Sequence, residues 1–131
     1  MVKDHISNLI IKIKNGGKAG HAVVTYPHSK FVESVLEVLH KEGFIKSFEK
    51  KGKKVVKSVD IELAYEDDKT PKISEAIRIS KPSKRVYMNS TELKPVRSGY
   101  GMMVLSTSKG VLSSSDARKQ KVGGEALFKI W

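Results

Sequence analysis

The chain has 131 residues, with 25 Lys and Arg against 14 Asp and Glu, a formal net charge of +11. That length suits one domain or two small modules, and that charge points to a polyanionic partner. Hydrophobic residues make up 39%, in runs far short of the roughly 20 that span a bilayer, and cysteine is absent, which excludes disulfides and thiolate metal sites.

Met1-Val2-Lys3-Asp4-His5 has neither the apolar core nor the cleavage site of a secretory signal, and the chain reads as intracellular. Ile6, Leu9, Ile10 and Ile13 recur at helical spacing, so a first helix is predicted, capped by Asp4 and stopped at Asn15-Gly16-Gly17. Lys12 and Lys14 lie off its apolar stripe. Ala22 to Tyr26 reads as a strand ending at Pro27. Ser29 caps a second helix that buries Val32, Val35, Leu36 and Leu39, with Gly43 just past its end. Strands follow over Phe44 to Phe48 and Val55 to Tyr65, with Lys50-Lys51-Gly52-Lys53 as a basic turn between them. In the second of these, Val55, Val59, Ile61, Leu63 and Tyr65 share a face, with Lys57 as the exception.

The charged stretch from Glu66 to Lys72, with Pro71 and no apolar residue, reads as a link. Short strands are predicted at Ile77-Arg78-Ile79, Arg85-Val86-Tyr87-Met88 and Met102 to Leu105, separated by Pro82, Asn89, Pro95, Gly99 and Gly101. A brief helix runs from Ser114 to about Gln120 on capping-box spacing. A last strand covers Ala126 to Trp131, with the Trp ring packed inside. The fold class is therefore α+β: two small α/β modules packed together, α-β-α-β-β followed by a mainly β module with one short helix. The divisions fall at 1–65, 66–76 and 77–131.

A Ser-His-acid hydrolase is disfavoured, because His5, His21, His28 and His40 all lie in the first half and no Gly-x-Ser-x-Gly elbow exists. No carboxylate or thiol stands at zinc-ligand spacing from His21 and His28. Gly16-Gly17-Lys18 lacks the phosphate-loop pattern. Nucleic acid fits better. Lys81, Lys84 and Arg85 stand beside Tyr87, either as phosphate contacts or as a solvated edge strand. Ser106-Thr107-Ser108-Lys109-Gly110 offers hydroxyls suited to the wide, shallow RNA minor groove, or is an ordinary serine-rich turn. Gly123-Gly124-Glu125 allows close backbone approach to a ligand, or is a plain turn. No zinc finger, RNA-recognition motif or KH loop is present, so the residues themselves lead to a protein that binds structured nucleic acid, RNA before DNA.

Gly99-x-Gly101, Leu105-Ser106-Thr107-Ser108-Lys109-Gly110-Val111, Ala117-Arg118 and Val122-Gly123-Gly124-Glu125 up to Trp131 closely resemble small-subunit ribosomal protein eight in its bacterial form. Ile79-Ser80-Lys81-Pro82, Arg85-Val86-Tyr87, Pro27-x-Ser29-Lys30 and Glu42-Gly43-Phe44-Ile45 agree, as does Asn15. The resemblance implies a structural constituent of the small ribosomal subunit, in the cytoplasm, that binds the central domain of its ribosomal RNA and supports assembly. It implies other small-subunit ribosomal proteins as partners and, for some members, their own messenger RNA. It implies no catalytic residue, metal, cofactor or membrane, and an isolated chain that is monomeric. Carried over, the RNA-binding residues are Ser106, Thr107, Ser108, Gly124, Glu125 and Tyr87, with Asn15 and Lys30 from the first module; Lys81, Lys84, Arg85 and Lys109 join them on charge. The chain departs from the pattern at Ser83-Lys84, where the family usually has Gly and an apolar residue, at Lys12 and Lys14 in place of arginines, and at Met102-Met103. A repressor acting on messenger RNA outside the ribosome is the alternative.

Overall fold

The computed structural model describes residues 5–52, 54–55, 57–81, 83–93 and 101–131. Its first helix, α1 (His5–Lys18), runs through the predicted stop at Asn15-Gly16-Gly17. The reason is packing: a Cβ on Gly16 would stand 2.5 Å from Val24 Cγ1 and 3.2 Å from Leu63 Cδ1, so the glycine lets helix and sheet close on each other. The helix ends instead at Gly20, where the Gly20 N–H donates to the Gly17 carbonyl at 3.1 Å and the His21 N–H to the Gly16 carbonyl at 2.9 Å. The Asp4 cap lies outside the described residues.

Strand β1 (Val23–Pro27) leads to α2 (Lys30–Lys41), whose cap is the predicted one: Ser29 Oγ accepts from the Val32 N–H at 3.1 Å. Val32, Val35, Leu36 and Leu39 are its buried face, as expected from their spacing. Strands β2 (Ile45–Lys51) and β3 (Ser58–Leu63) complete an antiparallel sheet in the order β1-β3-β2. Alternation along β3 buries Val59, Ile61 and Leu63. The strand starts later than predicted, and Val55 is 66% exposed in the turn before it. Lys50 and Lys51 belong to β2, not to the turn, and Lys53 lies outside the described residues. Residues 66–72 form a closed turn, with a Tyr65–Pro71 bridge and the Glu66 N–H donating to the Thr70 carbonyl at 2.7 Å.

The chain divides into two compact units, residues 1–74 and 75–131. In the second, β8 (Gly124–Ile130) is central. It pairs along one edge with both β4 (Ala76–Arg78) and β5 (Tyr87–Met88), and along the other with β6 (Met102–Thr107), which pairs in turn with β7 (Gly110–Ser113). All pairings are antiparallel. β5 is shorter than predicted, and β7 and a 3₁₀ turn at Ser90–Glu92 were not expected. The short helix α3 (Ser114–Lys119) is capped by Ser113, whose Oγ accepts from the Asp116 N–H at 3.2 Å. Ala117 of α3 packs with Leu93, Met103, Leu105 and Ala126 in a buried cluster. Trp131 is half-buried, not enclosed as expected; it extends the ladder, exchanging backbone hydrogen bonds with Glu75 at 3.0 Å. The whole is α+β with two antiparallel sheets, the class predicted.

Candidate nucleic-acid interface

Residues directly opposite in neighbouring strands share a face of the sheet. Ser106 on β6 stands opposite Glu125 on β8, which stands opposite Tyr87 on β5. Three strands thus bring a hydroxyl, a carboxylate and a ring into one row. The next row, Thr107–Gly124–Met88, lies on the opposite face, the one covered by α3.

Ser108 and Lys109 are the two-residue loop that joins β6 to β7. Gly110 follows at φ +104, a conformation that disfavours any side chain. Thr107 Oγ1 donates to the Gly110 carbonyl at 2.8 Å and accepts from the Lys109 N–H at 3.1 Å, so this hydroxyl shapes the turn. Ser106 and Ser108 have no such partner among the described residues. The expected hydroxyl loop is therefore strand at Ser106 and Thr107 and loop only at Ser108, and its hydroxyls divide between shaping the turn and facing outward.

Glu125 is the most elaborately held side chain of the row. Only 16% exposed, its carboxylate accepts from Arg85 Nη1 at 2.9 Å and from Ser80 Oγ at 2.5 Å. Ser80, 1% exposed, also accepts from the Val86 N–H at 3.2 Å, fixing its hydroxyl between two strands. Desolvation pushes the Glu125 carboxyl up, but the Ser80 and Arg85 hydrogen bonds and the charges of Arg85 and Arg78 outweigh it. The carboxyl sits below its ordinary value, and the Arg85 guanidinium is correspondingly raised by Glu125. Because the folded carboxyl is depressed, its contribution to stability is complete above the unfolded value of about 4.3 and is lost as pH falls through the folded one. Glu125→Gln is accordingly expected to cost about 1–2 kcal/mol at neutral pH, with the deficit closing at acid pH where the native carboxyl is itself protonated. Urea melts of both proteins at pH 7 and pH 3 check this; a deficit independent of pH would contradict it.

Gly124 serves the strands themselves. A Cβ there would lie 2.1 Å from the Ser106 carbonyl oxygen, and one on Gly123 would lie 2.3 Å from that of Met88. The glycine pair lets β5, β8 and β6 close together.

Lys81 and Lys84 exchange backbone hydrogen bonds at 3.0 Å in both directions, closing a tight turn with both side chains exposed, one residue before Arg85. Tyr87 is 70% exposed. All ten candidates of the second unit thus fall in one neighbourhood. Asn15 and Lys30 lie in the first unit on different helices: Asn15 is exposed beside a groove of about 570 Å³ shared with Ile11, Lys12 and His21, and Lys30 is exposed in the first turn of α2. Ser80 was not among the predicted site residues. Nothing local signals that its hydroxyl meets a carboxylate 45 positions away.

The row offers hydroxyl donors and acceptors, a carboxylate acceptor, an open aromatic face and a cationic rim. Among the described residues no three His, Cys, Asp or Glu are placed to hold a metal ion, and His28 is paired with Glu33 at 3.0 Å.

Residues 4–131 match the family model described as Ribosomal protein S8. The small ribosomal subunit protein uS8 of Helicobacter pylori (strain Shi470) is 42% identical over 131 residues, covering 100% of both chains. That of Helicobacter acinonychis (strain Sheeba) is equally similar, at 42% over the same span. The uS8 of Lachnoclostridium phytofermentans is 44% identical, covering 99% of this chain and 98% of its own.

Proposed function

Because the chain belongs to the ribosomal protein S8 family, and so is a non-enzymatic structural protein of the small subunit of the cytoplasmic ribosome, we propose that it binds the central domain of small-subunit ribosomal RNA directly and supports assembly there, through the Ser106–Glu125–Tyr87 face.

The observation that carries this reading is the row itself, three polar or aromatic groups in register on adjacent strands. The RNA minor groove is wide and shallow and displays 2′-hydroxyls, which are both donors and acceptors. Ser106 and Ser108 are small enough to meet them there. The exposed Tyr87 ring is a platform for an unstacked base, a contact worth about 1–3 kcal/mol. Glu125 accepts from a base amine or a 2′-hydroxyl and repels phosphate, so it favours base and sugar edges in the middle of the face. Lys81, Lys84 and Lys109 supply the phosphate contacts around it, which set register but not sequence. Arg85 already spends part of its guanidinium on Glu125, and its role is to hold that carboxylate as much as to meet RNA. Ser80, behind both, fixes the carboxylate from inside. Asn15 and Lys30 contribute supporting contacts from the first unit, and the bound chain meets other small-subunit ribosomal proteins.

Ser106→Ala is expected to weaken binding to a central-domain RNA helix by about 1–3 kcal/mol, the cost of leaving its RNA partner unmatched. A salt titration with an equal-length DNA duplex as competitor measures this. RNA binding that persists at physiological salt and falls in the variant supports the reading. Equal RNA and DNA binding, unchanged by the substitution, would leave only the net charge at work and remove the face from the mechanism.

A further inference from the structure

The most concentrated charge in the chain lies elsewhere. Lys46, Lys50, Lys51, Lys53, Lys54 and Lys57 fall within twelve residues that contain a single acid, Glu49. The lysines of β2 are already matched within the first unit: Lys46 pairs with Glu62 at 3.3 Å, Lys50 with Glu33 at 3.2 Å and Lys51 with Glu49 at 3.3 Å. Lys54 and Lys57 are exposed and have no ion pair among the described residues. Lys30 joins them, because the His28 N–H donates to the Lys57 carbonyl at 3.1 Å, which sets the tip of the hairpin beside the start of α2. The nearby acids are occupied. Glu33 is shared by His28 and Lys50, and Asp60 accepts from Thr25.

We propose that the tip of the β2–β3 hairpin, with Lys54 and Lys57 on it and Lys30 on the adjoining start of α2, is an additional binding site for the phosphate backbone of a second RNA segment. This rests on the RNA-binding reading above and adds the hairpin lysines to the Lys30 contact already assigned to the first unit.

The chemistry favours a polyanion over a single phosphate. Lys54 and Lys57 are exposed on a turn and Lys30 on the adjoining helix, so the charges are spread over an open surface and do not line a pocket. Each of these cations is Lys, a hydrated point charge that meets phosphate without the planar fork of Arg, and so without geometric selectivity. Among the described residues the exposed large apolar side chain at the tip is Val55, and the sequence of the turn offers no aromatic to stack a base. Such a surface reads charge and not sequence. In a protein of the small subunit, the polyanion at hand is ribosomal RNA.

The test uses the full chain with Lys54→Gln and Lys57→Gln together, and two transcripts: the central-domain helix alone and the complete central domain. Both side chains are exposed and unpaired, so the thermal melt is expected to be unchanged. The variant is expected to bind the isolated helix as the parent does and the complete domain roughly tenfold more weakly at physiological salt. The slope of log K against log salt on the complete domain should fall by about 1.8, or roughly 0.9 for each phosphate no longer neutralised. Unchanged affinity and slope on the complete domain would overturn the proposal. So would an equal loss on the isolated helix, which would reduce the lysines to a general field with no second segment bound. Normal RNA binding with failure to enter small subunits would also overturn it and assign the hairpin to a protein neighbour. Ser106→Ala run alongside separates the two readings. Weaker binding to both transcripts supports the second-unit face, whereas intact binding there with weakening only in the lysine variant would sink that face and keep the hairpin.

Discussion

Gly124→Ala is expected to cost about 3 kcal/mol of stability and to abolish tight RNA binding. A methyl group at this position would stand 2.1 Å from the Ser106 carbonyl oxygen, 2.9 Å from its carbon and 3.1 Å from the Thr107 Cα. All three neighbours are backbone atoms of β6, so no side chain can swing aside. The two strands must separate just where Ser106 faces Glu125, and the row proposed to meet RNA is displaced with them. The chain has one tryptophan, Trp131, and it lies in the second unit. Its fluorescence during a urea melt therefore reports that unit even where the two do not unfold together. A variant that melts like the parent and retains affinity would show that β6 and β8 have more slack than this geometry allows.

Phe128→Ala is expected to be more destabilising still, by about 3–5 kcal/mol, with a different functional signature. Phe128 is 0% exposed and stands in register with Val104, also fully buried, and with Arg78. Removing the ring leaves a cavity that flanking strands cannot fill without leaving their ladders. The loss is in packing and not in the row of polar groups, which begins three residues earlier at Glu125. RNA affinity measured well below the lowered melting temperature should stay close to the parent value. Gly124→Ala should lose affinity at the same temperature while still folded. A Phe128→Ala protein that melts within about 1 kcal/mol of the parent would place this ring outside the core.

The α+β class was legible because its signals are local. Ser29 before an apolar stripe marks α2, and the alternation through Val59, Ile61 and Leu63 marks β3. The failures were places where a distant element decides. Gly16 and Gly17 have the composition of a helix stop, yet Gly16 sits inside α1 because Val24 leaves no room for a side chain. Along β8, Ala126, Leu127 and Phe128 are buried in succession, because a bulge between the Val104 and Leu105 pairings interrupts the alternation that a sequence reading follows. At the candidate site the side-chain types were visible and their division of labour was not. Ser106, Thr107 and Ser108 look alike in sequence, but only Thr107 spends its hydroxyl on the turn. Ser80 escaped notice because its partner Glu125 is near only after β8 has folded against the segment leading into β5.

The position of β8 also sets an order of events during synthesis. It is the last of the strands to be made, and it is the one on which β4, β5 and β6 all pair. The first unit has its complete sheet once Leu63 has emerged, and it can fold while translation continues. The second unit has no such partial state: until residues 124–130 leave the exit tunnel, β4 and β5 have no neighbour and β6 has only β7. Since Glu125 is on that strand and Ser106 and Tyr87 are aligned by it, the face assigned to RNA comes into being in a single late step. A half-made chain has a basic, folded N-terminal half but lacks the proposed Ser106–Glu125–Tyr87 face, so on that reading selective capture by RNA waits for β8.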